Sequence, residues 1–359
     1  MINTIMSRLL AGKSVLAAEI GVNYYDIAKQ RGISNMEAAK LMIREAVTAG
    51  IHAVKFQSYK AETLAAKDSP SYWDLKENPV TSQRELFAGF DSFGKDEYYE
   101  LARYCESVGI EFFSTAFDYC AADYLESLMN VYKISSSDLS NLPFIRYQAA
   151  KGKPVMLSVG ASNEDEIERA VATIRKVNSE PLILLHCVLE YPTPLAHANL
   201  LKIRELKKKF PDAIIGYSDH TKPLPDAAVT NAACLLGAQL IEKHYTLDKT
   251  LPGNDHYHGM DPEDARTILS GLDKVNLLMG SGELKCLDSE LVSRRNARRS
   301  LVLLRPVVKG EFLTDGIVTA KRPGTGISPA RLSEFIGRRF ARDIDGDTIL
   351  KESDFDAER

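Results

Sequence analysis

An alternation of short apolar runs with helix-period segments constrains the fold of this chain more than any other feature. Runs rich in β-branched and apolar residues recur at 15–23, 52–59, 111–117, 131–139, 154–162, 182–191, 213–220 and 240–248. Segments with apolar residues at helical spacing separate these runs, and several end in the Gly expected just past a helix C-terminus. Eight strand–helix units in about 250 residues match a (β/α)8 TIM barrel. A doubly wound sheet seldom needs so many strands.

The pattern changes near residue 280. Residues 281–296 are polar and read as a linker, and residues 297–359 carry short β-rich runs with repeated Gly and Pro. No long helical pattern interrupts these runs. We therefore predict an α/β chain with a barrel domain at 1–280, a linker at 281–296 and a small β domain at 297–359.

Charge and cysteine usage exclude several classes of partner. Lys plus Arg is 45 and Asp plus Glu is 49, so no global positive field exists to hold nucleic acid or anionic lipid. No apolar run approaches the roughly 18 residues of a membrane span, and no signal-peptide pattern opens the sequence. The 5 cysteines are widely spaced and lack CxxC, which favours a reducing compartment without a zinc site. We expect a cytoplasmic protein with no nucleic-acid or membrane partner.

Polar residues concentrate where the predicted strands end. A single Lys or Ser at such a position is usually a solvated loop edge or a satisfied core group. Eight coincident polar ends favour an active site, because catalytic groups in a barrel lie at the C-terminal ends of the strands. These ends supply Glu19, Asn23, Lys55, Gln57, Ser114, Thr115, Lys133, Ser135, Ser136, Ser137, Ser158, His186, Ser218, Asp219, His220, Glu242, Lys243 and His244.

Strand alternation brings two histidines to a common face. Ser218 and His220 share one side of the seventh strand, and Glu242 and His244 share one side of the eighth. Two such histidines outside a barrel are usually hydrogen-bonded core residues. At adjacent strand ends they predict a divalent metal site whose remaining ligands are oxygens, which favours Mn²⁺, Mg²⁺ or Co²⁺ over structural zinc.

Lys55 and Lys133 lie inside otherwise apolar strands. A buried ammonium is costly unless it meets an anion, so these lysines predict an anionic substrate. Neighbouring Ser and Thr hydroxyls suit phosphate or carboxylate oxygens. Alternatively, one of the lysines could form a Schiff base with a carbonyl substrate instead of binding an anion. Glu19 is the acid/base candidate. The competing interpretation is that Glu19 is a structural carboxylate bonded to one of the lysines.

Motifs along nearly the whole chain, in order, resemble those of the sialic acid synthases. The motifs are AEIGVN, AVKFQSY, FFSTAFD, YKISSSD, LSVGAS, LLHCVLEYPTP, IGYSDHT, EKHYTLDKTLPGNDH and KRPGTGI. The resemblance implies a metal-dependent barrel that condenses phosphoenolpyruvate with an open-chain N-acyl hexosamine, either N-acetylmannosamine or a diacetamido-dideoxyhexose. It also implies a C-terminal antifreeze-like (SAF, β-clip) domain that reaches into the partner's site in a domain-swapped homodimer.

The resemblance assigns roles to individual residues. It implies that Glu19 is the catalytic carboxylate and that His220 and His244 are ligands of a divalent cation. Among the candidate cations we expect Mn²⁺ before Mg²⁺ or Co²⁺. The phosphoenolpyruvate pocket would comprise Lys55, Thr115, Lys133, Ser136, Ser158 and Ser218. The sugar contacts would comprise Gln57, Tyr191, Asp255 and, from the other subunit, Arg322.

The chain departs from the family pattern around the expected sugar site. HCVLEYPTP places Leu189 and Glu190 where many members carry HCTNxYP, and NYYDIAKQRGIS and GNDHYHGMD are also unusual. These departures leave open which acylated sugar is the acceptor and whether it is phosphorylated.

Three other functions compete with this prediction. Another phosphoenolpyruvate-condensing 3-deoxy-ulosonate synthase would accept a phosphorylated aldose, but the antifreeze-like segment disfavours it. A lysine Schiff-base aldolase would use pyruvate. A carbohydrate-binding or ice-surface protein built on an inactive barrel is disfavoured by the intact set of Glu19, Lys55, Lys133, His220 and His244.

Overall fold

The computed structural model describes residues 2–73, 75, 78–253 and 255–356. The chain divides into two units, residues 1–280 and 281–359. The outermost ends of the two predicted domains, residue 1 and residues 357–359, lie outside the described residues. Within the described ranges, no helix combines the length and the apolar character that crossing a membrane requires.

Eight parallel strands close into a barrel, each pairing with the next and the last with the first. They are β1 (Val15–Gly21), β2 (Ala53–Ser58), β3 (Glu111–Ala116), β4 (Tyr132–Ile134), β5 (Val155–Ser158), β6 (Leu182–Cys187), β7 (Ile214–Asp219) and β8 (Leu240–His244). The predicted TIM barrel is confirmed. β4 is shorter than predicted because Ser135 Oγ accepts the Ser137 N–H at 3.4 Å and starts a 3-10 turn, which competes with the strand ladder.

Helices follow every barrel strand. In the first unit they are α1 (Thr4–Leu10), α2 (Tyr24–Arg31), α3 (Asn35–Ala49), α4 (Ala61–Leu64), α5 (Gln83–Ala88), α6 (Lys95–Val108), α7 (Tyr119–Leu125), α8 (Leu142–Ala149), α9 (Glu164–Arg175), α10 (Leu201–Lys209), α11 (Ala228–Leu235) and α12 (Pro262–Met279). Reciprocal capping boxes start α3, α9 and α12, so the local sequence itself fixes where these helices begin.

Helix α1 precedes the first strand and closes the N-terminal end of the barrel. Its residues Ile5, Met6 and Leu9 are buried in the main core. The Ile5 N–H donates to the buried Glu111 carboxylate at 2.6 Å, which ties the helix to the start of β3. This end of the barrel is filled, so ligands must enter from the opposite end.

The second unit is small and β-rich, as predicted. Strand β9 (Ser300–Leu303) pairs antiparallel with β10 (Val318–Lys321). The segment predicted as a linker contains a 3-10 turn (Asp288–Glu290) and helix α13 (Leu291–Ala297), and α14 (Leu332–Phe335) follows β10. The unit has its own apolar core, which includes Leu303, Leu313, Phe335, Phe340 and Leu350.

A buried ion pair joins β7 to β8. Lys243 Nζ lies 2.7 Å from Asp219 Oδ2 and donates to the Thr221 carbonyl at 2.5 Å. The two charged residues are also register partners on adjacent strands. Strand alternation places them on the face opposite Ser218 and Glu242, so this pair is separate from the groups that face the barrel interior.

Replacing Asp219 by Ala should destabilise the protein by about 3–5 kcal/mol, because the Lys243 ammonium would stay buried without its partner. Denaturant-induced unfolding measures this loss. The matched control is Asp123→Ala, which removes a carboxylate that is 57% exposed and 2.8 Å from Lys151 Nζ. That change should cost about 1 kcal/mol or less. Equal losses for the two variants would contradict the structural role of the buried pair.

Candidate active site

Two lysines and two glutamates form a buried charged cluster inside the barrel. Lys55 Nζ lies 2.7 Å from Glu19 Oε2 and 3.6 Å from Glu242 Oε1. Lys133 Nζ lies 3.6 Å from the same Glu242 oxygen. All four side chains are at most 6% exposed, so the charges depend on one another rather than on water.

The protonation states in this cluster are set by burial and by the neighbouring charges. Burial alone would raise the pKa of Glu242, but the Lys133 and Lys55 ammoniums lower it below its usual value. Burial opposes the charge of Lys55, yet Glu19 and Glu242 together raise its pKa. For Lys133 burial prevails and lowers the pKa, because Glu242 offsets it only in part. Lys133 is therefore the ammonium that gains most from an incoming anion.

Hydroxyl groups from neighbouring strands contact the two lysines. Lys55 Nζ donates to Thr115 Oγ1 at 3.3 Å, and Lys133 Nζ donates to Ser158 Oγ at 2.8 Å. All four side chains belong to the set predicted to bind phosphoenolpyruvate, and all four are buried. The structure therefore brings these predicted residues together in the pattern of donors that an anion needs.

Two further serines of that set are Ser218 on β7 and Ser136 in the 3-10 turn after β4. Ser218 Oγ donates to Glu242 Oε1 at 3.1 Å. Ser136 is half-buried in the turn after β4, and it interacts with the buried thiol of Cys187. Burial raises the pKa of Cys187, so the thiol stays neutral although Lys133 is nearby. Cys187 was not predicted as a site residue.

The Glu19 carboxylate is held at both of its oxygens. Gln57 Nε2 donates to Glu19 Oε1 at 2.7 Å, and Lys55 lies against the other oxygen. The strand register shifts between Glu19 and Gly21, where φ is +54°. A Cβ at Gly21 would lie 3.2 Å from both Gln57 Nε2 and Glu19 Oε1, so a side chain there would crowd this hydrogen bond. Glycine at position 21 therefore leaves the space in which Gln57 holds the Glu19 carboxylate.

A cluster of imidazoles lies at the ends of β7 and β8. The ring centroids of His220 and His244 are 5.4 Å apart, and those of His244 and His258 are 5.0 Å apart. Asp255 Oδ2 lies 3.0 Å from His244 Nδ1, and Asp255 Oδ1 lies 3.6 Å from His258 Nε2. The Tyr191 ring packs 4.4 Å from that of His220. Two predicted metal ligands and two predicted sugar contacts therefore converge here.

The donor atoms of this cluster fit a divalent cation. His220 Nδ1 lies 2.7 Å from the Val188 carbonyl and must donate to it, which leaves Nε2 as the lone-pair nitrogen. Burial, together with the charge of His244, lowers the pKa of His220 to about 4, so its ring is neutral, as a metal ligand requires. One ligand atom each from His244, Asp255 and His258 lies within 4.8 Å of the others.

Carboxylate and imidazole in the cluster influence each other's charge. Burial alone would lower the pKa of His244, but Asp255 reverses the effect and raises it. Burial alone would raise the pKa of Asp255, but His244 and then His258 hold it well below its usual range. Asp255 is therefore a charged oxygen donor next to the imidazoles, which is the ligand type that a divalent cation attracts.

Not every predicted residue belongs to these two clusters. Arg322 is an exposed residue of the second unit, directly after β10, and its proposed role with another subunit stays a prediction. His186 lies on the other face of β6, where its Nε2 is 2.8 Å from the Ala198 carbonyl and its ring stacks on Tyr217. The unusual Glu190 pairs with the exposed His197 at 2.9 Å.

Sequence reasoning gave no role to two residues that the structure places in these clusters. Glu242 appeared among the polar strand ends, and its position two residues before His244 on the same face was the available signal. His258 appeared only within the unusual GNDHYHGMD segment. Its proximity to β8 depends on the path of a loop, which no sequence period encodes.

Replacing Glu242 by Gln should cost on the order of 3 kcal/mol of stability, because Lys133 loses its nearby carboxylate. Denaturant unfolding with and without inorganic phosphate tests this, since an anion that binds the lysines should restore part of the loss. Ser218→Ala is the control, because it removes only one hydrogen bond to the same carboxylate, worth about 1 kcal/mol. A Glu242→Gln variant as stable as the parent protein would contradict the role of this carboxylate as a counterion.

Comparison with known proteins agrees with the fold and the motifs. The NeuB family model matches residues 42–284, and the SAF domain model matches residues 298–356. The N,N'-diacetyllegionaminic acid synthase of Legionella pneumophila is 34% identical over 97% of this chain and 96% of its own. The human N-acetylneuraminate-9-phosphate synthase is 30% identical over 94% of this chain and 91% of its own.

A solved structure supports the same assignment. The N-acetylneuraminic acid (sialic acid) synthetase from Leptospira borgpetersenii superimposes with a TM-score of 0.68 and is 32% identical. The match covers 78% of this chain and 90% of that one. The chain therefore belongs to the NeuB family and carries a C-terminal SAF domain.

Proposed function

We propose that this protein condenses phosphoenolpyruvate with the open-chain form of an N-acyl hexosamine to give a nine-carbon 2-keto acid and phosphate. The observation that carries the proposal is the pair of buried ammoniums, Lys55 and Lys133, next to a cluster of imidazoles and a carboxylate in one barrel. The first cluster suits a small, strongly anionic donor, and the second suits a cation that polarises a carbonyl. Relatives named as synthases of legionaminic acid support the acceptor class.

Phosphoenolpyruvate would bind through its phosphate and carboxylate. Lys55 and Lys133 supply the compensating positive charge, and Lys133 regains the stabilisation that burial removes. The hydroxyls that complete the pocket would be those of Thr115, Ser136, Ser158 and Ser218.

His220 and His244 would hold the divalent cation, with Mn²⁺ preferred over Mg²⁺ or Co²⁺. When bound, the cation would supply Lewis-acid activation of the sugar aldehyde. Tyr191 and Asp255 lie against these histidines, so a sugar that reaches the site meets a phenol and a carboxylate. Arg322 would complete the sugar site from the partner in a domain-swapped homodimer.

The reaction forms one carbon–carbon bond, and at C2 a carbon–oxygen bond to the oxygen of water replaces the carbon–oxygen bond to phosphate. The C3 carbon of phosphoenolpyruvate attacks the aldehyde carbon, and the aldehyde oxygen takes a proton. Positive charge then develops at C2, where water adds while Glu19 accepts a proton. Gln57 and Lys55 orient that carboxylate through its two oxygens. The resulting tetrahedral intermediate releases phosphate and leaves the 2-keto acid.

A phosphate-release assay tests the function directly. Phosphoenolpyruvate should release phosphate with N-acetylmannosamine, its 6-phosphate or a 2,4-diacetamido-6-deoxyhexose, and ¹⁸O in the bridging position of phosphoenolpyruvate should leave with the phosphate. Release only with phosphorylated aldoses that carry no N-acyl group would identify another ulosonate synthase. Covalent trapping of a lysine by borohydride with pyruvate would identify a Schiff-base aldolase. Retention of ¹⁸O in the sugar acid would refute carbon–oxygen cleavage.

Replacing Glu19 by Gln should lower kcat about 100-fold or more, because the step at C2 loses its proton acceptor. Binding of phosphoenolpyruvate, followed by calorimetry, should persist since both lysines remain. Glu111→Gln is the matched control, because it neutralises another buried carboxylate at the filled end of the barrel. Unchanged turnover in the Glu19 variant would remove this residue from the mechanism.

A further inference from the structure

We infer that His258 is a third imidazole ligand of the cation that the proposed function places on His220 and His244. The inference rests on that proposed function for the existence of the cation. It adds a ligand that comes from the loop after β8 rather than from a strand end.

The position of His258 brings it to the predicted metal ligands. Its ring centroid lies 5.0 Å from that of His244 and 6.4 Å from that of His220. Asp255 lies between two of the rings, with one carboxylate oxygen 3.0 Å from His244 Nδ1 and the other 3.6 Å from His258 Nε2. One ligand atom each from His244, Asp255 and His258 lies within 4.8 Å of the others, and the His220 ring packs against the ring of His244.

The two nitrogens of His258 lack the partners that a buried structural histidine normally has. The side chain is 0% exposed, and neither nitrogen has a hydrogen bond within the part of the chain that the structure describes. The 3.6 Å separation from Asp255 is too long for a hydrogen bond. A buried polar atom without a partner destabilises the folded protein. A cation that binds one of the two His258 nitrogens would therefore remove that cost for the nitrogen it binds.

His256, two residues earlier, provides an internal comparison. It is equally buried, but its Nδ1 lies 2.7 Å from Thr246 Oγ1 and its Nε2 lies 3.1 Å from Asp26 Oδ2. His256 therefore has the contacts of a structural histidine at both nitrogens. His258 has aromatic neighbours, including Tyr257 at 4.9 Å, but these do not satisfy its polar atoms.

The loop that carries His258 is fixed against β8 by its backbone. The Met260 N–H donates to the His244 carbonyl at 2.7 Å, and the Thr246 N–H donates to the Met260 carbonyl at 3.0 Å. A Cβ at Gly259 would lie 2.9 Å from the Asp255 carbonyl oxygen and 3.4 Å from the His244 backbone. Glycine at this position permits the close approach, so His258 is held beside His244 before any ligand arrives.

A third imidazole changes which cations the site should prefer. Imidazole suits the later first-row transition metals, whereas Mg²⁺ prefers oxygen ligands and retains its waters. With three imidazoles and Asp255, the site should bind Co²⁺ far more tightly than Mg²⁺. Of the metals expected from the sequence, Mg²⁺ is the one that this donor set disfavours.

Equilibrium dialysis of the full-length protein, stripped of metal, against Co²⁺ tests the inference. The variant His258→Phe keeps a planar ring and removes both nitrogens, and His258→Gln serves if the first variant does not fold. Loss of a ligand should weaken Co²⁺ binding about tenfold or more, since even outer-shell changes cost 10–100-fold. The visible spectrum of bound Co²⁺ should also change. His256→Asn is the matched control and should leave both readouts unchanged.

The outcomes separate the inference from the proposed function. Weaker binding and an altered spectrum in the His258 variants alone would support the inference. Unchanged binding in those variants, with binding lost in His220→Ala, would overturn it and leave the two-histidine site intact. Equal weakening of Co²⁺ binding by His256→Asn would also overturn the inference. The loss would then come from disturbing the loop that carries both histidines and not from removing a ligand. Absence of Co²⁺ binding in the parent protein would overturn it together with the metal site, while phosphate release tests the synthase activity independently.

Discussion

The buried charges inside the barrel constrain everything else in this protein. Two ammoniums, Lys55 and Lys133, lie out of water, and the barrel supplies two carboxylates, Glu19 and Glu242, within 3.6 Å of them. Removing a charge from water is tolerated only when an opposite charge replaces the lost hydration. The formal charges of these four groups cancel, so the barrel can fold around them before any substrate binds.

An incoming anion would change the surroundings of Lys55 and Lys133 unequally. Lys55 has a close carboxylate, whereas Lys133 has Glu242 only at 3.6 Å and a pKa that burial lowers. An incoming phosphate or carboxylate would therefore improve the surroundings of Lys133 more than those of Lys55. The weak net charge of −4 for the whole chain does not oppose such binding, because attraction over a few ångströms in a buried site outweighs a screened distant field.

The sequence predicted the parts of the site that follow from strand periodicity. Glu19, Lys55 and His244 could be placed together because parallel strands alternate regularly and end at one face. His258 could not, since its position depends on Gly259 permitting close approach and on backbone hydrogen bonds to β8. The role of Glu242 was missed for a different reason. Its partners are lysines on two other strands, and only the closed barrel brings them within reach of one carboxylate.

The register of β1 then explains how two distinct clusters serve one reaction. Glu19 is the partner of Lys55 on β2 and, on its other side, of His244 on β8. The acid/base candidate therefore stands between the ammoniums that would neutralise the donor and the imidazoles that would hold the cation for the acceptor. In the proposed reaction the new bond forms where donor and acceptor meet, and Glu19 stands on the strand between Lys55 and His244, so its carboxylate is placed to reach both substrates.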